Sequence, residues 1–516
     1  MKSQYWADQF AEKLIKSRKK NKFTVASGIT PSGTLHFGNF REIITTDIVA
    51  RALKDAGAKV RFIYSWDDYD RFRKIPKNMP KQNILKKYIG FPVSQVPNVF
   101  GTKHKSYAMY LESKLEESVK LVGIYPEFIN QGTLYAKNFY AEEIKTAFQN
   151  RKKIVEILNK YRKEPYTSEW YPGEVYCKKH GNDFTKIIDY DGEYKITYKH
   201  KSGHSATIDF RKEAGLKLKW KSDWPMRWAY EKVDFEPGGK DHSTYGSSYT
   251  VGKDIVKIFD WITPDYLRYE FINMKGRPGK MSSSKGTSQS LGDVLKFYIP
   301  ELARYTFAGR TPKTEIFYPM DEGIFKHYED FYYTERVAFG KENVSKKEQT
   351  QQERVYRMSV VDKIPQRMPI QPSFKHCVEL MNIYRNVSKA LTSMSIKTKQ
   401  DKERYSRVLE CAGNWIGEFA SERYKFTINT KVSKIKLTSN QKLGISELGK
   451  ILTKDISEKE LYSKFPEIMD ANNLNAKTFF PVIYQILINK NAGPRLAPFI
   501  LAIGRTKVKK LLNSIK

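Results

Sequence analysis

Two periods of apolar residues follow one another near the start of the chain. Residues 23–27 (FTVAS) read as a buried strand, and a turn rich in Gly and Pro, Gly28 to Gly33, follows. From about Asn39 to Leu53 the apolar residues Phe40, Ile44, Ile48 and Ala52 recur every four positions, the spacing of one helix face. Gly57 stands where a helix C-terminus favours left-handed backbone. Lys59 to Trp66 (KVRFIYSW) reads as the next strand. Strand, helix and strand in this order form a βαβ unit, which predicts a parallel sheet.

That regularity is lost from about Phe91 to Leu218. Short helices mix there with hairpin-like pieces, such as Tyr190-Asp191-Gly192-Glu193 between two strand-like runs, and the stretch is expected to be an insertion. Strand signals return at Val233–Phe235 and Tyr269–Met274, and after about Gly292 the chain reads as mostly helical to Lys516. The expected fold class is α/β, a parallel-sheet domain with an insertion, followed by all-α domains.

Composition narrows the class. At roughly 100–200 residues per domain, 516 residues suggest about three domains. A hydrophobic fraction of 40% with 14% aromatic residues supports sizeable cores and argues against global disorder. Cys177, Cys377 and Cys411 are too sparse for a disulfide framework and point to a reducing compartment. The opening residues (MKSQYWADQFAEKLIKSRKKNK) lack the apolar segment of a secretory signal, and no apolar run approaches the roughly 20 residues of a membrane span. A soluble, cytoplasmic protein with no membrane partner is expected. Lys+Arg is 91 against Asp+Glu 57, a net charge of +34, which favours a polyanionic partner through counterion release. A lysine-rich genome would raise the same number, and charge alone does not separate nucleic acid from an acidic surface.

Two segments carry candidate chemistry. Thr30-Pro31-Ser32-Gly33-Thr34-Leu35-His36-Phe37-Gly38-Asn39 sits at a strand-to-helix junction, where free N–H groups and the helix dipole attract anions. Gly33 and Gly38 allow close backbone approach, and His36 can hydrogen-bond a phosphate oxygen. Gly279-Lys280-Met281-Ser282-Ser283-Ser284-Lys285-Gly286 is a cationic, donor-rich loop suited to a triphosphate during transfer. Alone, the first reads equally as an ordinary turn and the second as a basic linker. Together they favour a nucleotide site.

These segments resemble the paired HIGH and KMSKS signatures of class I aminoacyl-tRNA synthetases. Asn39 replaces the second histidine and Ser283 the internal lysine, departures that resemble the class I lysyl-tRNA synthetases in particular. The resemblance extends to Ala26–Thr30 (ASGIT), Trp66–Asp70 (WDDYD), Asp223–Trp228 (DWPMRW) and Asp234–His242 (DFEPGGKDH). It implies a Rossmann-type catalytic domain in two halves, 1–90 and 219–292, around a connective insertion at 91–218. A helical stem-contact region, 293–370, and a helical anticodon-binding domain, 371–516, would follow. The implied activity is ATP-dependent ligation of L-lysine to tRNA(Lys) through a lysyl-adenylate, with Mg2+ accompanying ATP. By the same resemblance His36 and Asn39 contact phosphate and ribose, and Lys280, Ser282, Ser283 and Ser284 hold the β- and γ-phosphates, with Lys285 a second cation for that role. Thr30, Pro31, Gly33, Gly38, Gly239, Asp241 and Met281 would complete the ATP site, Asp241 on the ribose. Gly28, Thr30, Trp220, His242 and Tyr269 would form the lysine pocket.

A lysine ammonium must lose water, so its pocket needs a carboxylate, an aromatic face or both. Trp220, Trp228 and Tyr269 can supply faces, and Asp67, Asp68 and Glu270 can supply charge; the choice between Asp67 and Asp68 as anchor stays open. In the insertion, Cys177-x2-His180 and His200-x3-His204 have spacing compatible with tetrahedral Zn2+, the other reading being a metal-free hairpin with surface histidines. Three competing readings remain in view. A small-molecule nucleotidylyltransferase would not need the helical half or the charge. A catalytically silent RNA-binding paralogue is opposed by intact His36, Lys280 and Asp241. A class I synthetase for another amino acid, such as glutamate, is opposed by the pocket's carboxylates.

Overall fold

The computed structural model describes residues 4–275, 289–394, 396–432, 434–452 and 455–515. Helix α1 (Trp6–Arg18) precedes β1 (Lys22–Ile29), helix α2 (Phe37–Asp55) and β2 (Lys59–Trp66). β1 and β2 are parallel, with Ala26 opposite Ile63, and β3 (Glu127–Asn130) extends the sheet beyond β2. Phe40, Ile44, Ile48 and Ala52 are all buried, as the helical period predicts. So are Ile43, Val49, Arg41 and Asp47, which makes α2 a central helix rather than a surface one.

The insertion packs into a core that it shares with the sheet domain, where Tyr140, Phe148, Ile196, Tyr198 and Leu218 cluster with Tyr69, Met226, Val251 and Ile255. It holds β4 (Gly173–Val175), an antiparallel sheet of β5 (Thr185–Tyr190), β6 (Lys195–His200) and β7 (Ser205–Asp209), and β8 (Leu216–Leu218), which pairs with β4. The turn expected at Tyr190–Glu193 joins β5 to β6.

The chain then returns through β9 (Phe235–Gly239) and β10 (Asp265–Tyr269), giving a parallel sheet of order β10-β9-β1-β2-β3. Strand addition reverses side at β1. In open α/β sheets the crevice beyond the strands' carboxyl ends at such a point is where ligands bind. The expected strand Tyr269–Met274 is two strands, because β11 (Ile272–Met274) leaves the sheet to pair with β12 (Ile316–Tyr318). Arg41 of α2 draws the break aside: its guanidinium donates to the carbonyls of Phe271 (3.0 Å), Pro312 (2.7 Å) and Thr314 (2.7 Å).

The chain divides into two compact units. One comprises Met1–Leu295, Pro300–Tyr318 and Thr334–Ile364, the other Lys296–Ile299, Pro319–Tyr333 and Pro365–Lys516. The stretch 293–370 is thus shared between them. The second unit is helical among its described residues, with a core that includes Leu448, Leu461, Phe479, Ile483 and Phe499. Thr438 with Gln441, and Ser457 with Glu460, form capping boxes that start two of its helices. Among the described residues no helix is long and apolar enough to cross a membrane.

Candidate active site

Two adjoining cavities open at the carboxyl ends of β1, β9 and β10 and share Gly28, Glu42, Asp67, Trp220 and His242. The inner one is walled by Trp224, Arg227 and Trp228 of the helix Trp220–Tyr230, and by Glu236 of β9. The outer cleft, about 550 Å³, is lined by Thr30, His36, Gly38, Asn39, Gly239, Asp241, Tyr269 and Glu270. Residues predicted from both halves of the sheet domain therefore meet around one space.

Some predicted residues do not. Pro31 and Gly33 are buried and line neither cavity. Asp68 also lines neither: its carboxylate accepts the Gly132 N–H at 2.7 Å, and burial pushes it up to about 7. Asp67 is the one of the pair that faces the cavities. Lys280, Met281, Ser282, Ser283, Ser284 and Lys285 lie outside the described residues. Where the description resumes, the Gln289 carbonyl accepts the Phe37 N–H at 2.7 Å, immediately after His36.

Local sequence explains the placement. A Cβ on Gly28 would fall 2.7 Å from the Ser65 carbonyl oxygen, so only glycine lets β1 pass this close to β2. The Gly28 N–H then donates to Glu42 at 3.1 Å. His36 is the N-cap of α2, in extended conformation, and its backbone N–H donates to Asn39 Oδ1 at 2.9 Å. Asn39 is three residues into the turn and reaches back to the cap, the half of a capping box usually taken by Glu or Gln.

A buried ion network forms one wall. Arg227 Nη1 meets Asp67 at 2.6 Å and Ser65 Oγ at 2.8 Å, and its Nε lies 3.2 Å from Asp223. Lys217 Nζ lies 2.9 Å from Asp70 and 3.3 Å from Asp223, and Thr30 Oγ1 donates to Asp70 at 2.8 Å. Burial pushes Asp70 up, but the Lys217 charge and hydrogen bond, the Thr30 hydroxyl and the Arg227 charge together hold the carboxyl below its usual range. For Asp67 burial wins over Arg227, and the carboxyl is raised.

Glu42 and Glu236 are different, and sequence reading missed both. Burial pushes Glu42 up to about 8, although the Tyr269 hydroxyl (2.7 Å) and the Gly28 N–H favour its ionised form. Burial pushes Glu236 up to about 7, against the indole donors of Trp228 (2.6 Å) and Trp224 (3.1 Å). Among the described residues both accept hydrogen bonds only from neutral groups, whereas Asp67 is met by Arg227. The available signals were a Glu one turn beyond Asn39 on the same helix, and a Glu inside an otherwise apolar strand.

In the insertion hairpin the residues named for zinc lie near one another. Cys177 Sγ and His180 Nδ1 are 3.2 Å apart, and the His180 and His200 rings stack at 4.0 Å. Both His200 ring nitrogens are taken by hydrogen bonds, to Ser202 Oγ (2.8 Å) and Asn182 Oδ1 (2.9 Å). His204 sits edge-on to His180 with centroids 6.0 Å apart. Among the described residues no three His, Cys, Asp or Glu side chains are grouped to hold a metal ion. Hydrogen bonds and ring stacking link these hairpin residues.

A family model described as tRNA synthetases class I (K) matches residues 4–362. The chain belongs to this family. The match ends beside Ile364, where the first unit of the synthetase also ends. Along nearly its whole length the synthetase is similar to proteins named lysine–tRNA ligase. It is 43% identical to that of Borreliella burgdorferi, 40% to that of Treponema pallidum and 38% to that of Pyrococcus horikoshii, each over 99% of both chains.

Proposed function

We propose that this synthetase joins L-lysine to tRNA(Lys) in two steps. The lysine carboxylate attacks the α-phosphate of ATP, forming lysyl-adenylate and expelling pyrophosphate. The terminal ribose hydroxyl of tRNA then takes the lysyl group and AMP leaves. No covalent enzyme intermediate is required, so catalysis rests on positioning and charge stabilisation.

The observation that carries the choice of lysine is the pair Glu42 and Glu236. Two carboxyls with only neutral donors, Glu236 buried and Glu42 half-buried, match an amino acid that brings two ammonium groups. A bound glutamate would place a further carboxylate against them. The stacked Trp220 and Trp224 rings, 5.2 Å apart, offer a face to the aliphatic stem. In the outer cleft, His36 at the α2 N-terminus would meet phosphate and Asp241 the ribose. Lys280 and the serines 282–284, with Lys285, would hold the β- and γ-phosphates; the Gln289–Phe37 bond supports this by tying the far flank of their segment to α2. No grouped carboxylates offer a cation cage among the described residues, so Mg2+ would travel on the ATP phosphates. The helical second unit would read the anticodon, its bases by stacking and edge contacts, and the enzyme would work in the cytoplasm.

ATP–pyrophosphate exchange, measured with each of the amino acids and with and without tRNA, tests this. Stimulation by lysine alone is expected. Stimulation by glutamate, or by no amino acid, overturns the reading.

A further inference from the structure

Segments that line the cleft also carry side chains that the reaction above leaves unused. The loop 240–247 carries Asp241 and His242 into the cleft at one end and Tyr245 outward at the other. Tyr245 is 79% exposed, yet its ring is fixed: the hydroxyl donates to the Lys160 carbonyl at 3.1 Å and the ring meets Tyr161 edge-on at 5.1 Å. Gly246 beside it has φ +70°, and a Cβ there would lie 3.2 Å from Tyr161, so the loop is seated closely on this segment. Lys221 Nζ donates to the Gly246 carbonyl at 2.8 Å.

Cations and aromatic rings alternate along the segment that follows Tyr161 and at the start of the helix Trp220–Tyr230. The Arg162 guanidinium lies 3.9 Å over Tyr166, Tyr166 is 5.1 Å from Trp170, and Lys219 Nζ lies 4.8 Å over Trp170. Lys219 and Lys221 flank Trp220, which lines both cavities. Burial, then the nearby Arg162 charge, holds Lys221 below the usual lysine value. Among the described residues no salt bridge joins Arg162, Lys219 or Lys221 to a carboxylate. Arg162 and Lys221, cations that no salt bridge pairs among the described residues, beside a fixed, exposed ring are the composition that binds unpaired nucleotides: the ring stacks a base of any sequence, and the cations meet the backbone. A hydrophobic protein partner would leave those charges unanswered.

We propose that Tyr245, with Arg162 and Lys221 beside it, holds the unpaired 3′-terminal nucleotides of the substrate tRNA on their way into the cleft. The assignment rests on the proposed tRNA-charging function and adds the residues that position the reacting end. Tyr245 is a stacking platform, and the cations meet the terminal phosphates.

The test compares Kd for intact tRNA and for tRNA lacking its unpaired 3′ nucleotides, with wild-type enzyme, Tyr245→Ala and Tyr245→Phe. Wild type should bind the intact form on the order of tenfold more tightly, the effect of one stacked base. Tyr245→Ala should abolish most of that preference, Tyr245→Phe should keep it, and the KM for lysine should not change in either. A wild-type enzyme indifferent to truncation, or a Tyr245→Ala variant with the full wild-type preference, overturns the assignment. Charging of intact tRNA by wild type is read in parallel. If no lysine is transferred, the function itself falls; if transfer is normal and Tyr245→Ala behaves as wild type, only this surface falls.

Discussion

Tyr269 donates its phenolic hydrogen to Glu42 at 2.7 Å, tying the end of β10 to the second turn of α2. The other Glu42 oxygen accepts the Gly28 N–H from the end of β1 at 3.1 Å. Three elements thus fix one carboxyl at the wall shared by the two cavities, and none brings a positive charge. The substitution Glu42→Gln keeps the shape and removes the charge. It should lower kcat/KM for lysine roughly 30-fold or more, the effect of deleting one partner of a buried charge pair, and should leave folding intact. Steady-state aminoacylation and a thermal melt measure both; an unchanged KM for lysine would remove Glu42 from the binding site.

The raised carboxyls set a pH dependence. Glu42 lies at about 8 and Glu236 at about 7, against 4.5 for an ordinary glutamate. Above pH 4.5 the unfolded chain gives up protons that the folded state keeps, so this part of the stability is complete below 4.5 and is lost as pH rises toward about 8. A bound ammonium favours the ionised carboxylate. Lysine binding at neutral pH should therefore expel protons, and affinity should tighten as pH rises toward about 8. Titration calorimetry in two buffers of different ionisation enthalpy reads the released protons. Heats that do not depend on the buffer would contradict the assignment.

At the start of α2 the cap and the chemistry can be separated. His36 presents its side chain to the outer cleft, while Asn39 Oδ1 is engaged with the His36 N–H at 2.9 Å. His36→Ala should lower the pyrophosphate-exchange rate at least roughly 10²-fold, the loss expected for one transition-state donor. Asn39→Ala should instead cost about 1 kcal/mol of stability through the lost cap. A His36→Ala enzyme that exchanges at the wild-type rate would exclude the histidine from the chemistry.

The βαβ start was legible because its strands and helix carry different apolar periods, and both survive folding unchanged. The break between Tyr269 and Ile272 was not, because its cause is Arg41, more than two hundred residues away in sequence. β9 runs on through Pro237, Gly238 and Gly239, poor strand formers whose extended conformation is imposed by β10 alongside. In the candidate site, His36, Asp241 and His242 stood out by motif, and Trp220 and Tyr269 by the family resemblance. Asp67 and Asp68 could not be told apart, since adjacent residues after a strand face different ways and only the register decides. Glu42 was hidden in a helix whose polar positions look solvent-facing until the helix proves to be central. The Cys and His spacing of the hairpin was visible, but Asn182 and Ser202, which occupy the His200 nitrogens, lie outside any ligand pattern.

Lys217 offers the sharpest separation of support from binding. Its ammonium is buried between Asp70 and Asp223, and although burial opposes the charge, the two carboxylates hold its pKa above the usual lysine value. Removing it as Lys217→Met leaves both carboxylates without that cation, with Arg227 already shared between Asp67 and Asp223. The cost should be about 3–5 kcal/mol, that of breaking a buried pair from one side. The KM for lysine should also rise, because Asp70 is the acceptor that orients Thr30 in the cleft. Neutralising the partner in the double variant Lys217→Met/Asp70→Asn should recover part of the stability, since fewer buried charges are left unmatched. The amide oxygen introduced by Asp70→Asn would still accept the Thr30 hydroxyl, so the KM should recover with it. Denaturant unfolding of the two variants decides the matter: a single variant as stable as wild type, or a double variant no better than the single, would show that the ion network does not hold this wall.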